Sequence, residues 1–166
     1  DFFKRDVERI LPLDEMNQLS NAGLGRLPLV PEFDYTDFFG VIMELAAADS
    51  NIAHAWRNHF AFVDRYFVRG GGGPSLNWIK TEIENGKRIG VANTELGLFN
   101  HGPDTRTQLS LADDGSLSVS GRKFYSTGCL YADYLLVKVK DNRDGITKNV
   151  LIPSERSGVV CHDDWD

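Results

Sequence analysis

Gly121-Arg122-Lys123-Phe124-Tyr125-Ser126-Thr127-Gly128-Cys129-Leu130-Tyr131-Ala132-Asp133-Tyr134-Leu135-Leu136-Val137 is the stretch on which the fold turns. A short polar segment, Phe124 to Thr127, carries hydroxyls and aromatic rings between two strand-like runs. Gly128 allows a turn, and Ala132-Asp133 leads into an apolar strand. Hydroxyls and a ring at a strand end suit a flat ligand with a hydrogen-bonding edge.

The flanking sequence is also β in character. Arg88 to Thr94 alternates, with Ile89, Val91 and Asn93 on one face. Thr105 to Leu111 and Ser116 to Ser120 read as strands joined by the hairpin turn Asp113-Asp114-Gly115. In the second of these, Leu117 and Val119 alternate with serines, so one face is expected in a core and one in water. Further strands are expected at Tyr134 to Lys140, Asn149 to Ile152 and Val159 to His162. About six antiparallel strands with short turns imply a barrel-like domain or a sandwich.

Upstream, the spacing changes to that of helices. Val7, Ile10 and Leu11 mark one, interrupted by Pro12. Asp14 to Ala22 is a second, with Asp14 as cap, and Gly25 to Asp34 reads as a loop. A longer helix begins near Thr36, with Phe38, Ile42, Leu45 and Ala46 on one face. Asp49-Ser50-Asn51 is a break or a fresh cap. The next helix runs to about Val68 and presents Ile52, Trp56, Phe60, Val63 and Phe67. Gly70 to Gly73 and Pro74 end it. That run follows a helix, whereas a phosphate-binding loop follows a strand, so it reads as a mobile loop. Ser75 to Asn85 is a last helix. Helices first and strands later make the chain α+β. The expected division is a helical domain at 1–86 and an antiparallel β-barrel-like domain at 87–166.

The formal charge of -6 argues against a nucleic-acid partner, which would need clustered basic residues. No run approaches the ~20 apolar residues of a membrane span. Cys129 and Cys161 are the only cysteines, so no disulfide framework is implied and a cytoplasmic setting is expected. Neither has a nearby His or Lys pattern that would mark a nucleophile. Both ends read as cut, and more protein is expected than this chain.

Candidate chemistry is sparse. His54 and His59 lie about 140° apart around one helix, which excludes an i, i+4 metal pair, and no metal site is expected. His59, beside Phe60 and Phe62, reads as a half-buried structural histidine or as a pocket residue. Glu95 reads as a general base or as a turn-stabilising carboxylate. His101 reads as a solvated loop residue. Two polar clusters at strand ends then remain, Asn93-Thr94-Glu95 and Tyr125-Ser126-Thr127-Gly128. They read as two ordinary turns or as a shelf that holds a planar heteroaromatic ring by its edge, with Tyr125 over its face.

The order of these motifs resembles the acyl-CoA dehydrogenase fold family. The matching residues are Gly90 to Glu95, Ser120 to Gly128 and Tyr131 to Val137, and the tail Asp163-Asp164-Trp165-Asp166 looks like the flavin monooxygenase branch of dibenzothiophene monooxygenase and sulfur-acquisition oxidoreductases. The resemblance implies a helical domain, a middle β domain and a C-terminal four-helix domain, of which this chain would hold the first two. It implies FAD or FMN between the β domain and the helices. Asn93 and Thr94 would contact the flavin edge, Tyr125 would take the place of a flanking Trp, and Ser126 would contribute its backbone. Thr127 would stand near flavin N5 as a catalytic group, and His59 would line the pocket and relay a proton. The resemblance implies a flavin-dependent oxidoreductase, most simply a monooxygenase using reduced flavin and O2 on an aromatic or organosulfur small molecule. A separate flavin reductase and a homo-oligomeric whole protein are implied with it. The dehydrogenases follow Thr-Glu with Pro and a Gly-Ser-Asp run, where this chain has Leu96-Gly97-Leu98-Phe99-Asn100-His101. The alternatives are therefore an acyl-CoA dehydrogenase and a non-catalytic module that has lost its flavin.

Overall fold

The computed structural model describes residues 2–98 and 104–164, so His101 and the Trp165-Asp166 tail lie outside the described residues. The chain divides into two compact units, Asp1–Ile89 and Gly90–Asp166. The first is helical and the second holds the sheet, an α+β order.

The helical unit contains α1 (Phe2–Glu8), α2 (Leu13–Asn21), α3 (Tyr35–Ala48), α4 (Ser50–Val63) and α5 (Asn77–Glu84). The expected Gly25–Asp34 loop instead contains a 3-10 helix, Leu24–Leu29, around Pro28. Helix α3 is capped by Asp34, two residues before Thr36; its carboxylate accepts from the Thr36 and Asp37 N–H groups. Asp49 caps α4 in the same way and also pairs with Arg5 of α1. Met16, Trp56, Phe60, Phe62, Val63, Ile79 and Ile83 make the core. Helix α3 offers none of its residues to full burial: Phe38 stacks edge-on against Phe60, while Phe39 and Met43 remain 59% and 72% exposed. No helix among the described residues is long and apolar enough to cross a membrane.

Helix α4 ends in a π-helical turn, Asp64–Val68, and the glycine run follows. This run is a closure of the helix rather than an open loop. The Gly71 and Gly72 N–H groups donate back to the carbonyls of Arg65 and Tyr66, at 3.1 and 2.9 Å. A Cβ on Gly71 would lie 2.6 Å from the Arg65 oxygen, and one on Gly72 would lie 2.4 Å from the Tyr66 oxygen. Both obstacles are backbone and cannot swing aside. Gly72→Ala is expected to destabilise the protein by about 1–3 kcal/mol in urea unfolding. Gly73→Ala, where a Cβ meets nothing within 4 Å, is the near-neutral control.

The second unit holds β1 (Ile89–Ala92), β2 (Gln108–Leu111), β3 (Leu117–Ser120), β4 (Tyr134–Asp141) and β5 (Thr147–Pro153). They form one five-stranded sheet in the order β1-β4-β2-β3, with β5 also on β4. The β2–β3 hairpin pairs Gln108 with Ser120 and Leu111 with Leu117; β4 and β5 pair from Tyr134↔Pro153 to Lys140↔Thr147. The ladder is not wholly antiparallel. Strand β3 reverses the chain and the connection to β4 reverses it again, so β4 runs parallel to β2 at Gln108↔Lys140. Residues Val159 to His162 form no strand, although Val159 and Cys161 pack on the core of Ala92, Leu109, Leu135, Val137 and Val139. Leu117 and Val119 do not enter that core; both stay exposed on β3, which among the described residues has a neighbouring strand on one side only. Among the described residues the sheet does not close on itself.

Candidate functional site

Strand β1 stops at Ala92, and the chain then leaves the sheet through Asn93, Thr94 and Glu95. Thr94 forms an antiparallel bridge with Phe124, whose N–H donates to the Thr94 carbonyl at 2.9 Å. One backbone bridge therefore brings together two polar clusters about thirty residues apart in sequence.

Beside the bridge lies a buried ion pair. The Glu95 carboxylate is 6% exposed. It accepts from Lys123 Nζ at 2.7 Å, from Thr105 Oγ1 at 2.7 Å and from Thr107 Oγ1 at 2.6 Å. The N–H groups of Arg106 and Thr107 donate to it at 2.7 and 3.0 Å. Lys123 Nζ also donates to Thr105 Oγ1 at 2.8 Å. Burial pushes the Glu95 carboxyl up, but hydrogen bonds from Lys123, Thr107, Thr105 and the Arg106 backbone outweigh it and hold the group well below the usual carboxylate range. Burial draws Lys123 below its usual value, against the opposing pull of Glu95. Four of these hydrogen bonds fall on Oε1 and one on Oε2, and a carboxylate held so far below its usual range is a weak base, so Glu95 reads as a structural anchor rather than a general base. Gly121 is required beside it, because a Cβ there would lie 2.4 Å from Thr107 Oγ1.

On this anchored frame sit the predicted ligand-facing residues. Asn93 Oδ1 is buried and has no hydrogen-bond partner among the described residues. A buried amide oxygen left unpaired costs about 1–3 kcal/mol, which a ligand N–H would recover. Tyr125 is 66% exposed, and its φ of 53° lies in the left-handed region that a bulky residue rarely adopts. Strain of that kind concentrates where a side chain must be aimed at a partner. The Thr127 N–H turns back to the Tyr125 carbonyl at 2.9 Å, and the Cys129 N–H donates to the Ser126 carbonyl at 3.0 Å. Thr94, Ser126 and Thr127 are half-buried. An unpaired acceptor, several hydroxyls and a held-out ring on adjoining segments fit the hydrogen-bonding edge and the face of a planar heterocycle.

His59 is placed otherwise. It is 1% exposed in the helical unit, with Nδ1 accepting from the Ile89 N–H at 3.1 Å and Nε2 donating to the Gly25 carbonyl at 2.9 Å. Accepting at Nδ1 puts the ring proton on Nε2. Both nitrogens are thus committed to backbone in this arrangement, and the ring ties α4 to two segments outside it. Cys129 is no nucleophile either: burial, with Cys161 beside it, pushes its thiol up to about 12. Lys123, Thr105 and Thr107 are the residues that sequence reading missed as members of the site. Nothing in the polar Ser-Gly-Arg-Lys-Phe-Tyr-Ser run marks Lys123 for burial, and its partner Glu95 lies 28 residues away.

No family model matches the chain. Over 169 residues it is 27% identical to a probable FMNH2-dependent monooxygenase of Pseudomonas putida, covering 98% of this chain and 41% of that protein. The chain thus spans about two fifths of the length of that curated relative. Among solved structures, it resembles the FMN-bound dibenzothiophene monooxygenase TdsC of Paenibacillus sp. A11-2, with a TM-score of 0.79 and 28% identity over 98% of this chain and 43% of that one. Butyryl-CoA dehydrogenase of Megasphaera elsdenii shares the fold at a TM-score of 0.77 and 18% identity, covering 93% of this chain and 44% of that chain. The chain is thus similar in sequence to flavin-dependent monooxygenases and shares the fold of an acyl-CoA dehydrogenase.

Proposed function

We propose that this chain carries the flavin shelf of a monooxygenase that uses reduced flavin and O2 on an aromatic or organosulfur small molecule. The observation that supports the reading is the Thr94–Phe124 backbone bridge, which joins the segment carrying the unpaired Asn93 oxygen to the segment carrying Tyr125, Ser126 and Thr127. FMN is favoured over FAD, because the relatives named above are FMN- or FMNH2-linked. The bound flavin supplies the redox chemistry. The chain's own residues bind and orient it: Asn93 and Thr94 hold the edge, Tyr125 covers a face, and the Ser126 backbone and Thr127 hydroxyl complete the polar rim. We assign Thr127 the task of holding a proton at its Oγ1 near the reacting edge. The whole protein is proposed to be a homo-oligomer with a barrel-like middle domain and a further helical domain, supplied with reduced flavin by a separate reductase.

The test is a fluorescence titration of the whole protein with FMN and with FAD. Asn93→Ala, Thr127→Ala and Tyr125→Ala are each expected to weaken flavin binding by about 3–10-fold, the equivalent of one hydrogen bond or ring contact. Unchanged affinity in all three would sink the placement of the shelf. Oxygen consumption coupled to substrate oxygenation, only with a reductase present, is the expected activity. Anaerobic bleaching of the flavin by an acyl-CoA would instead indicate a dehydrogenase, and a colourless whole protein would indicate a module without flavin.

A further inference from the structure

Two arginines beside the shelf have no counter-charge among the described residues. Arg106 and Arg122 line one groove of about 300 Å3, together with Glu95, Leu96, Thr107 and Phe124. The register of the β2–β3 hairpin ends at Gln108↔Ser120. Counting two residues outward on each strand puts Arg106 opposite Arg122. The close approach of Gly121 to Thr107 keeps the two segments side by side at the intervening position. Like charges directly opposite one another on a sheet are destabilising.

Among the described residues, nothing in the groove relieves that repulsion. Arg106 Nη1 donates to the neutral Leu96 carbonyl at 3.0 Å, and the Arg122 guanidinium stacks over the Phe124 ring at 5.0 Å. Neither has a carboxylate partner among the described residues. Glu95, the acid in the groove wall, is already engaged by Lys123, two threonine hydroxyls and two backbone N–H groups. Lys123 and Glu95 cancel, so the groove keeps the charge of two guanidinium groups, on a chain whose formal charge is -6. Leu96 and Phe124 give it an apolar wall.

We propose that this groove binds a small oxyanion carried on an apolar stem, the head held between Arg106 and Arg122 and the stem along Leu96 and Phe124. Guanidinium forks match the paired oxygens of sulfonate, sulfinate or phosphate ester groups. Such a head could come from the substrate or from the phosphate of the cofactor, and only that choice of source rests on the proposed function.

Calorimetric titration of the whole protein with hexane-1-sulfonate, hexan-1-ol, FMN and riboflavin tests the proposal. The sulfonate is expected to bind and the alcohol not to bind. Arg106→Gln and Arg122→Gln, both at exposed positions, are each expected to weaken the sulfonate about tenfold, with affinity falling as salt rises. If the same substitutions weaken FMN more than riboflavin, the head is the cofactor's phosphate. If both flavins bind as before while the sulfonate is weakened, the head belongs to a substrate. Equal binding of alcohol and sulfonate, or two substitutions that leave both the sulfonate and the FMN-to-riboflavin ratio unchanged, would overturn it. Failure of both flavins to bind at all would remove the flavin reading and leave the sulfonate result standing.

Discussion

Lys123→Met is expected to cost the protein about 3–5 kcal/mol of stability, because it strands an ionised Glu95 in the interior. Both side chains of this pair are more than nine-tenths withdrawn from water. Glu95→Gln should cost a similar amount by stranding the ammonium. Urea unfolding of the wild type, both single variants and the double variant measures the effect. The double variant is expected to recover part of the loss, since removing both charges removes the unpaired one. Acid sensitivity gives a second reading. The Glu95 carboxyl is held below its ordinary value of 4.5, so the folded state binds its proton less readily than the unfolded chain does. The resulting stability is complete above the ordinary carboxylate range and is lost as pH falls below about 4.5 toward the folded value. Glu95→Gln should flatten that acid limb, and an unchanged limb would mean that other carboxylates govern it.

His59→Ala is expected to lower stability by about 3–5 kcal/mol, through a cavity in the core and two backbone groups left unpaired. The Ile89 N–H would lose its acceptor and the Gly25 carbonyl its donor. Space beside the ring is already tight, since a Cβ on Gly25 would lie 2.9 Å from His59 Nε2. His59→Gln, which keeps a donor and an acceptor, should recover part of the loss. A proton-relay role predicts the opposite pattern: normal unfolding for His59→Ala with a lower kcat. Thermal unfolding beside turnover of the whole protein separates the two roles.

Tyr125 illustrates what a residue's identity conceals. Its ring was legible as a candidate cover for a planar ligand, and its place in the Gly-Arg-Lys-Phe-Tyr run was enough to single it out. Its left-handed backbone was not legible, because nothing in a tyrosine favours that conformation; the surrounding turn imposes it. Asn93 is similar. The sequence put it at a strand end, while the unpaired state of its oxygen depends on every neighbour that fails to reach it.

Local pattern by itself determined where the helices lie, the Asp113-Asp114-Gly115 hairpin, the passage from helices to strands, and the two polar clusters. Helical and strand periods are properties of a few adjacent residues, so they survive without tertiary context. Tertiary structure alone decided that β4 runs parallel to β2, that the glycine run closes a helix and that His59 is tied to backbone on both sides. It also decided that Glu95 meets Lys123, 28 residues away. The partner of a buried polar group is chosen by the path of the whole chain. Its charge and size are written at one position, but the atoms that satisfy it come from segments that only folding brings near.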